Sequence, residues 1–145
     1  VPLVLLPLLL LALTRTAQFD LRWGEQVEDV CLVFCLCIST VGVALRCATV
    51  GFVPSGTSGR GRAAPSAATL NNLGMYSVVR NPLYLANGIM WLGVALSTAS
   101  VLFAAVTALV YWLYIERVIS AEEEFLAREF GEGYREWVTH TPCFL

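Results

Sequence analysis

The chain has 145 residues, of which 57% are hydrophobic and 14% charged, with a formal net charge of −2 and a mean hydropathy of +0.70. A soluble domain carries roughly 25% charged residues, and a chain this short cannot hide so much apolar surface from water, so composition points to the bilayer. All nine basic residues are arginine and His140 is the single histidine, which excludes a P-loop lysine, a Schiff-base lysine and a two-histidine metal site, while the net charge offers nucleic acid no bulk attraction.

The first residues, VPLVLLPLLLLAL, are apolar, and polar TRTAQFDLRWGEQ follows without a small-residue cleavage site. A first membrane helix is therefore expected in place of a signal peptide, and Val1 in place of methionine suggests that it has been trimmed. From Val30 to Val53 an apolar run of 24 residues holds one charge, Arg46. At about 1.5 Å per residue it exceeds a hydrocarbon core of roughly 30 Å. Arg46 has two readings, a snorkelling side chain or an anion-facing group. Cys31, Cys35, Cys37 and Cys47 fall in this run and read as small buried hydrophobes. With Cys143 alone near the C-terminus, no pair has CxxC spacing, and no metal site is expected.

The stretch PSGTSGRGRAAPSAAT, from Pro54, reads as a flexible linker or a backbone-amide cradle for an anion. It leads into Gly74-Met75-Tyr76 and Arg80-Asn81-Pro82-Leu83-Tyr84. Pro82 suits the first turn of a helix, which leaves Arg80 beside a helix N-terminus, where an anion binds well or an interfacial anchor sits. Leu83 to Ile115 is then uncharged for 33 residues, about 50 Å as one helix. Such a run overshoots the bilayer and should fold back at Ser97-Thr98-Ala99-Ser100, with Gly88, Gly93 and Ala95 permitting a tight hairpin.

In the tail, Ile115, Val118, Ile119, Phe125, Leu126 and Phe130 recur at helical spacing, which predicts an amphipathic extension stopped by Gly131. Glu122, Glu123 and Glu124 lie at successive 100° steps and cannot all face one way. They read as a solvated acidic face, or as carboxylates meeting partners beside Arg80. The expected fold is all-α and integral to the membrane, with about four spans, a tight C-terminal hairpin and a following amphipathic helix. The segment holding Arg60, Arg62 and Arg80 and the tail holding Arg117, Arg128 and Arg135 share one face in that topology, and the positive-inside rule makes it cytoplasmic. A single domain is expected: spans in 1–53, a cytoplasmic loop and motif in 54–82, the hairpin in 83–115 and a catalytic tail in 116–145.

Leu70 to Leu145 resembles the integral-membrane methyltransferases of the isoprenylcysteine carboxyl methyltransferase and phospholipid methyltransferase group. The matching pieces are Gly74-x-Tyr76, Arg80-Asn81-Pro82-Leu83-Tyr84-Leu85-Ala86, Arg117 followed by Glu122-Glu123-x-x-Leu126, Phe130-Gly131-x-x-Tyr134, and the ending Pro142-Cys143-Phe144-Leu145. Two positions depart from the pattern: Asn81 stands where the family has histidine, and Ala86 where it has glycine. The resemblance implies S-adenosylmethionine as methyl donor and a lipid in the bilayer as acceptor. It implies a donor site of Gly74, Tyr76, Arg80, Asn81, Pro82, Tyr84, Glu122 and Glu123, with Arg80, Arg117 and Glu122 as catalytic residues. The glutamates would meet the donor's ammonium or ribose hydroxyls, Arg80 and the amides around Gly74 its carboxylate, and the two tyrosines its nucleoside.

An anionic acceptor needs no general base, whereas an amine does; with the family histidine missing, a phosphate or carboxylate acceptor is favoured, neutralised by Arg46, Arg60 or Arg117. The stretch Thr57 to Arg60, followed by Leu70 to Gly93, resembles bacterial members that methylate the phosphate of lipid A, which implies an inner-membrane location. A prenylcysteine carboxylate, a phospholipid amine and a non-catalytic scaffold keeping the fold are the alternatives. The sequence sets no oligomeric state.

Overall fold

A computed structural model of the chain describes residues 25–52 and 70–144, all helix, turn or irregular structure. Helix α1 is Glu25–Gly51, a 3₁₀ turn covers Gly74–Ser77, α2 is Pro82–Leu96 and α3 is Val101–His140. By length and composition, Gln26–Gly51 and Val101–His140 can cross a membrane, while α2 is apolar but shorter. The expected first span and most of the Gly/Ser/Ala-rich loop lie outside the described residues, so two candidate spans stand among those described.

The α1 helix starts several residues before the apolar run. Glu25, Glu28 and Asp29 fall in its opening turns, where carboxylates complement the helix dipole. Of its most apolar window only 11% is buried inside the protein, and Val30, Val33, Phe34, Leu36 and Val41 are exposed. Side chains of this kind need an apolar solvent around them. The cysteines follow the same rule: Cys35 is buried, but Cys31, Cys37 and Cys47 are exposed. Their expected burial against protein is thus corrected, because most of the circumference of α1 meets no other described element.

The chain divides into two compact units, Val1–Val43 with Ala86–Leu113 and Ala44–Leu85 with Tyr114–Leu145. In the first, the turn falls at Ser97–Ser100, as the small polar residues predict. The backbone N–H of Ala99 bonds Leu96 O at 3.0 Å, and Ala99 takes a positive φ of 50°. Ser100 caps α3 by accepting the Phe103 N–H on its Oγ at 3.3 Å, the usual N-cap arrangement. Ala95, Phe103 and Ala104 form a small core beneath the turn.

Glycines set the helix spacing. A Cβ on Gly88 would meet the Tyr111 ring at 3.1 Å, so this glycine does serve the hairpin. Gly93 faces α1 instead, where a Cβ would lie 2.3 Å from Ser39 Oγ and 2.7 Å from Cys35 O. Ala86, at the family's glycine position, is fully buried, and the glycine opposite it is Gly42, whose Cβ would come 2.8 Å from Ala86 O. The Ser39 hydroxyl donates to Met90 O across the same contact at 3.2 Å.

Helix α3 runs on well past the apolar stretch. Ile115 and Ile119 are buried, Phe125, Leu126 and Phe130 are half-buried, and Arg117, Glu122, Glu124 and Arg128 are exposed, so the extension is amphipathic as its periodicity predicts. Gly131 breaks the helix with φ 52° and ψ −118°, a conformation only glycine adopts readily. A second helical segment, missed from sequence, continues to His140.

Candidate functional site

The candidate site lies within the second unit, where the turn before α2, the first turn of α2, the acidic part of α3 and the final segment converge. Pro82 begins α2, and the Leu85 N–H closes the first turn on Asn81 O at 3.1 Å. This leaves the Arg80, Asn81 and Tyr84 side chains available to α3. The Arg80 Nε donates to Glu123 Oε1 at 3.0 Å, the two side chains being 14% and 28% exposed. The Asn81 Nδ2 donates to the same oxygen at a longer 3.5 Å. The Tyr84 hydroxyl donates to Glu122 Oε1 at 2.6 Å. Glu124 turns away and pairs with Arg128 one turn along its own helix. The three consecutive glutamates therefore split as their 100° steps require: two meet the Arg-Asn-Pro-Leu-Tyr segment, and the third is solvated.

The tail closes round Arg80. The backbone N–H of Arg80 bonds Pro142 O at 2.9 Å, and its Nη1 donates to Thr141 O at 3.1 Å and Val138 O at 3.5 Å. Trp137 Nε1 donates to Tyr76 O at 3.2 Å, which pins the 3₁₀ turn. Asn81 is buried, and its amide also donates to Cys143 Sγ at 3.4 Å. Asparagine at the histidine position is thus a hydrogen-bonding residue linking α3 to the tail. Gly74 opens the 3₁₀ turn at φ 61°, the region glycine favours.

Sequence reasoning gave Tyr134 and Cys143 no role beyond their places in the matching motifs, and Trp137 and Thr141 none of any kind. Tyr134 and Trp137 are three apart and stack edge to face, with ring centroids 5.8 Å apart. Their shared helical face was the available signal. Tyr134 is 6% exposed, and its hydroxyl makes no close hydrogen bond among the described residues, the Glu123 carboxylate lying within its reach. Burial, and next the Glu123 carboxylate, push its phenol up to about 12, so it stays protonated at neutral pH.

Of the predicted residues, the structure gathers Arg80, Asn81, Pro82, Tyr84, Glu122 and Glu123, with Gly74 and Tyr76 on the adjoining turn. Arg117 is not brought into the cluster: it is exposed on α3, without an ion-pair partner among the described residues. Arg46 is half-buried on α1, and Arg60 lies outside the described residues. Chemically, two carboxylates face one guanidinium, which leaves the cluster net negative beside protonated phenols. Such a site favours a cationic ligand carrying further hydrogen-bonding groups.

The described residues are helical, two of the helices are long and apolar enough to cross a membrane, and the second unit carries a cluster of bonded polar side chains. The phospholipid methyltransferase family model matches residues 56–133, more than half the chain, and the chain belongs to that family. It is similar to the cobalt-zinc-cadmium resistance protein CzcN of Cupriavidus metallidurans, with 41% identity over 76 residues, covering 52% of this chain and 35% of that protein. It is similar also to the nickel-cobalt-cadmium resistance protein NccN of Alcaligenes xylosoxydans xylosoxydans, with 31% identity over 142 residues, covering 97% of this chain and 61% of that protein. The chain thus spans about a third and three-fifths of these relatives. No solved structure matches it.

Proposed function

We propose that the chain is a membrane methyltransferase that takes a methyl group from S-adenosylmethionine and passes it to an anionic oxygen of a lipid. One observation carries this reading: Arg80, Asn81 and Tyr84, from one family motif, bond Glu122 and Glu123, from another about 40 residues away. The bonded pairs form a net-negative cluster in a chain of the phospholipid methyltransferase family.

S-adenosylmethionine presents an ammonium, a sulfonium and a carboxylate, so its site needs both signs of charge. Glu122 and Glu123 supply the negative charge, and Tyr84 holds the Glu122 carboxylate in place. Arg80 is largely committed to Glu123 and to the carbonyls of the tail, so it shapes the site and sets the position of Glu123 more than it serves as a mobile anion receptor. The donor supplies an electrophilic methyl group; an acceptor oxygen uses a lone pair to form the new O–C bond while the S–C bond breaks and its electron pair stays on sulfur. Chemistry of this kind asks the protein mainly for alignment and electrostatics, and an acceptor that is already anionic gives up no proton.

A lipid phosphate, such as that of lipid A, is the acceptor class we favour, with a lipid carboxylate second and a phospholipid amine third. Methylating a phosphate oxygen removes a negative charge that would otherwise attract divalent cations, which accords with relatives named for resistance to cobalt, zinc, cadmium and nickel. Methylating an amine would leave the headgroup no less attractive to them. By its arginine distribution the site faces the cytoplasm from the inner membrane, with residues 116–145 as a catalytic tail, Glu122 in the cluster and Arg117 outside it on the exposed face of α3. Titration of the detergent-solubilised chain with S-adenosylmethionine tests the donor: saturable heat is expected, and its absence would favour a non-catalytic scaffold that keeps the fold.

A further inference from the structure

The Tyr134 hydroxyl takes no part in the contacts that hold the tail. It sits on the short helical segment after the Gly131 break, 94% buried in residue terms, and makes no close hydrogen bond among the described residues, with the Glu123 carboxylate as the acceptor within its reach. Glu123, Arg80 and Cys143 are its charged and polar neighbours. Buried hydroxyls are nearly always partnered, because an unmade bond forfeits the desolvation already suffered. Trp137, beside it on the same segment, has its indole N–H satisfied by Tyr76 O. The hydroxyl without a close bond is the one beside the Glu123 carboxylate.

Glu123 receives Arg80 and Asn81 on a single oxygen, Oε1, which leaves the other oxygen outside both bonds. A carboxylate oxygen and a phenol oxygen side by side form an acceptor pair, and a neutral phenol can accept without losing its proton. A primary ammonium suits such a pair, because it offers three donors and one positive charge.

We infer that Tyr134 is a ligand-binding residue whose hydroxyl oxygen, together with the Glu123 carboxylate, receives the ammonium group of the bound methyl donor. This inference rests on the donor site proposed above and adds a residue to it.

The test is calorimetric titration of the detergent-solubilised wild-type chain and Tyr134→Phe with S-adenosylhomocysteine and with its analogue lacking the amino group. The phenyl ring preserves the packing on Trp137. Loss of one hydrogen bond to a charged ammonium should weaken S-adenosylhomocysteine binding by about tenfold or more, with binding of the desamino analogue unchanged. The thermal midpoint without ligand should hold or rise, since an unsatisfied group has been removed. Equal affinities of the two chains for S-adenosylhomocysteine, equal losses for both ligands, or a lowered midpoint of Tyr134→Phe would each overturn the inference. Failure of the wild-type chain to bind either ligand would instead overturn the donor site itself.

Discussion

At the residue scale, the site is a set of contacts between residues 38 to 62 positions apart, and each bonded pair has its own signature. Glu123→Gln keeps the shape of Glu123 but removes the charge that meets Arg80. Donor binding should weaken by about tenfold or more, given charge-assisted contacts of roughly 1.5–3 kcal/mol, as titration calorimetry would show. Arg80→Ala should weaken donor binding similarly and also lower stability by about 1–3 kcal/mol, because the Thr141 and Val138 carbonyls lose their donor along with Glu123. Detergent-phase thermal unfolding separates the variants: Arg80→Ala should melt lower than Glu123→Gln. A lysine at position 80 should not restore the site, since it lacks the planar fork that reaches a carboxylate and two carbonyls together. The splitting of the three glutamates was legible in the sequence, because the 100° step forces them apart, but the partner of Arg80 was not: the resemblance assigned it to the donor's carboxylate, and it bonds Glu123. The grip of the tail on Arg80 was not legible. Its acceptors are backbone carbonyls, which every residue carries, so no side-chain pattern announces them. Asn81 bonding Cys143 escaped for a related reason: a lone cysteine near a terminus has no spacing to read.

At the element scale, close helix contact depends on glycines whose partners the sequence does not name. The polar turn at Ser97–Ser100 and the break at Gly131 were readable from local chemistry, a run of small hydroxyl residues and a glycine ending a periodic stripe. Gly88 was rightly read as a hairpin contact, but Gly93 packs on α1. The same small side chain suits either neighbour, and only the three-dimensional arrangement decides. A methyl group at Gly93 would strike the α1 backbone near Ser39, as well as the Cys35 carbonyl. Gly93→Ala should therefore destabilise the chain by about 1–3 kcal/mol, read as a lower midpoint in thermal unfolding, with no matching effect from alanine at Gly51, where a Cβ meets nothing within 4 Å. Gly131 has open space around a built Cβ, yet its φ of 52° and ψ of −118° are costly for any other residue. Alanine there should cost about 1–3 kcal/mol through backbone strain alone. It should also loosen the segment carrying Tyr134 and Trp137, which limited proteolysis of the tail would register as faster cleavage in the variant.

At the scale of the whole molecule, an apolar chain with nine arginines, no lysine and one histidine has its polar chemistry concentrated in a few bonded pairs. Composition excluded lysine-dependent chemistry and a two-histidine metal site at the outset, and the proposed methyl transfer to an anionic oxygen requires neither. His140 is exposed at the end of α3, apart from the bonded pairs of the cluster, so general-base catalysis by histidine has no support among the described residues. The membrane character was legible from hydropathy, because an exposed apolar helix such as α1 has no other stable surroundings. The acceptor was not legible, since headgroup recognition depends on surfaces that the motifs leave unspecified. The most direct measurement is transfer of radiolabelled methyl from S-adenosylmethionine to the lipid fraction of membranes holding the wild-type chain or the Glu122→Gln/Glu123→Gln double variant. Label is expected in an organic-soluble lipid made heavier by one methylene in the mass spectrum, with incorporation lost in the double variant. Label absent from the lipid with wild-type chain, or incorporated equally by the double variant, would contradict it.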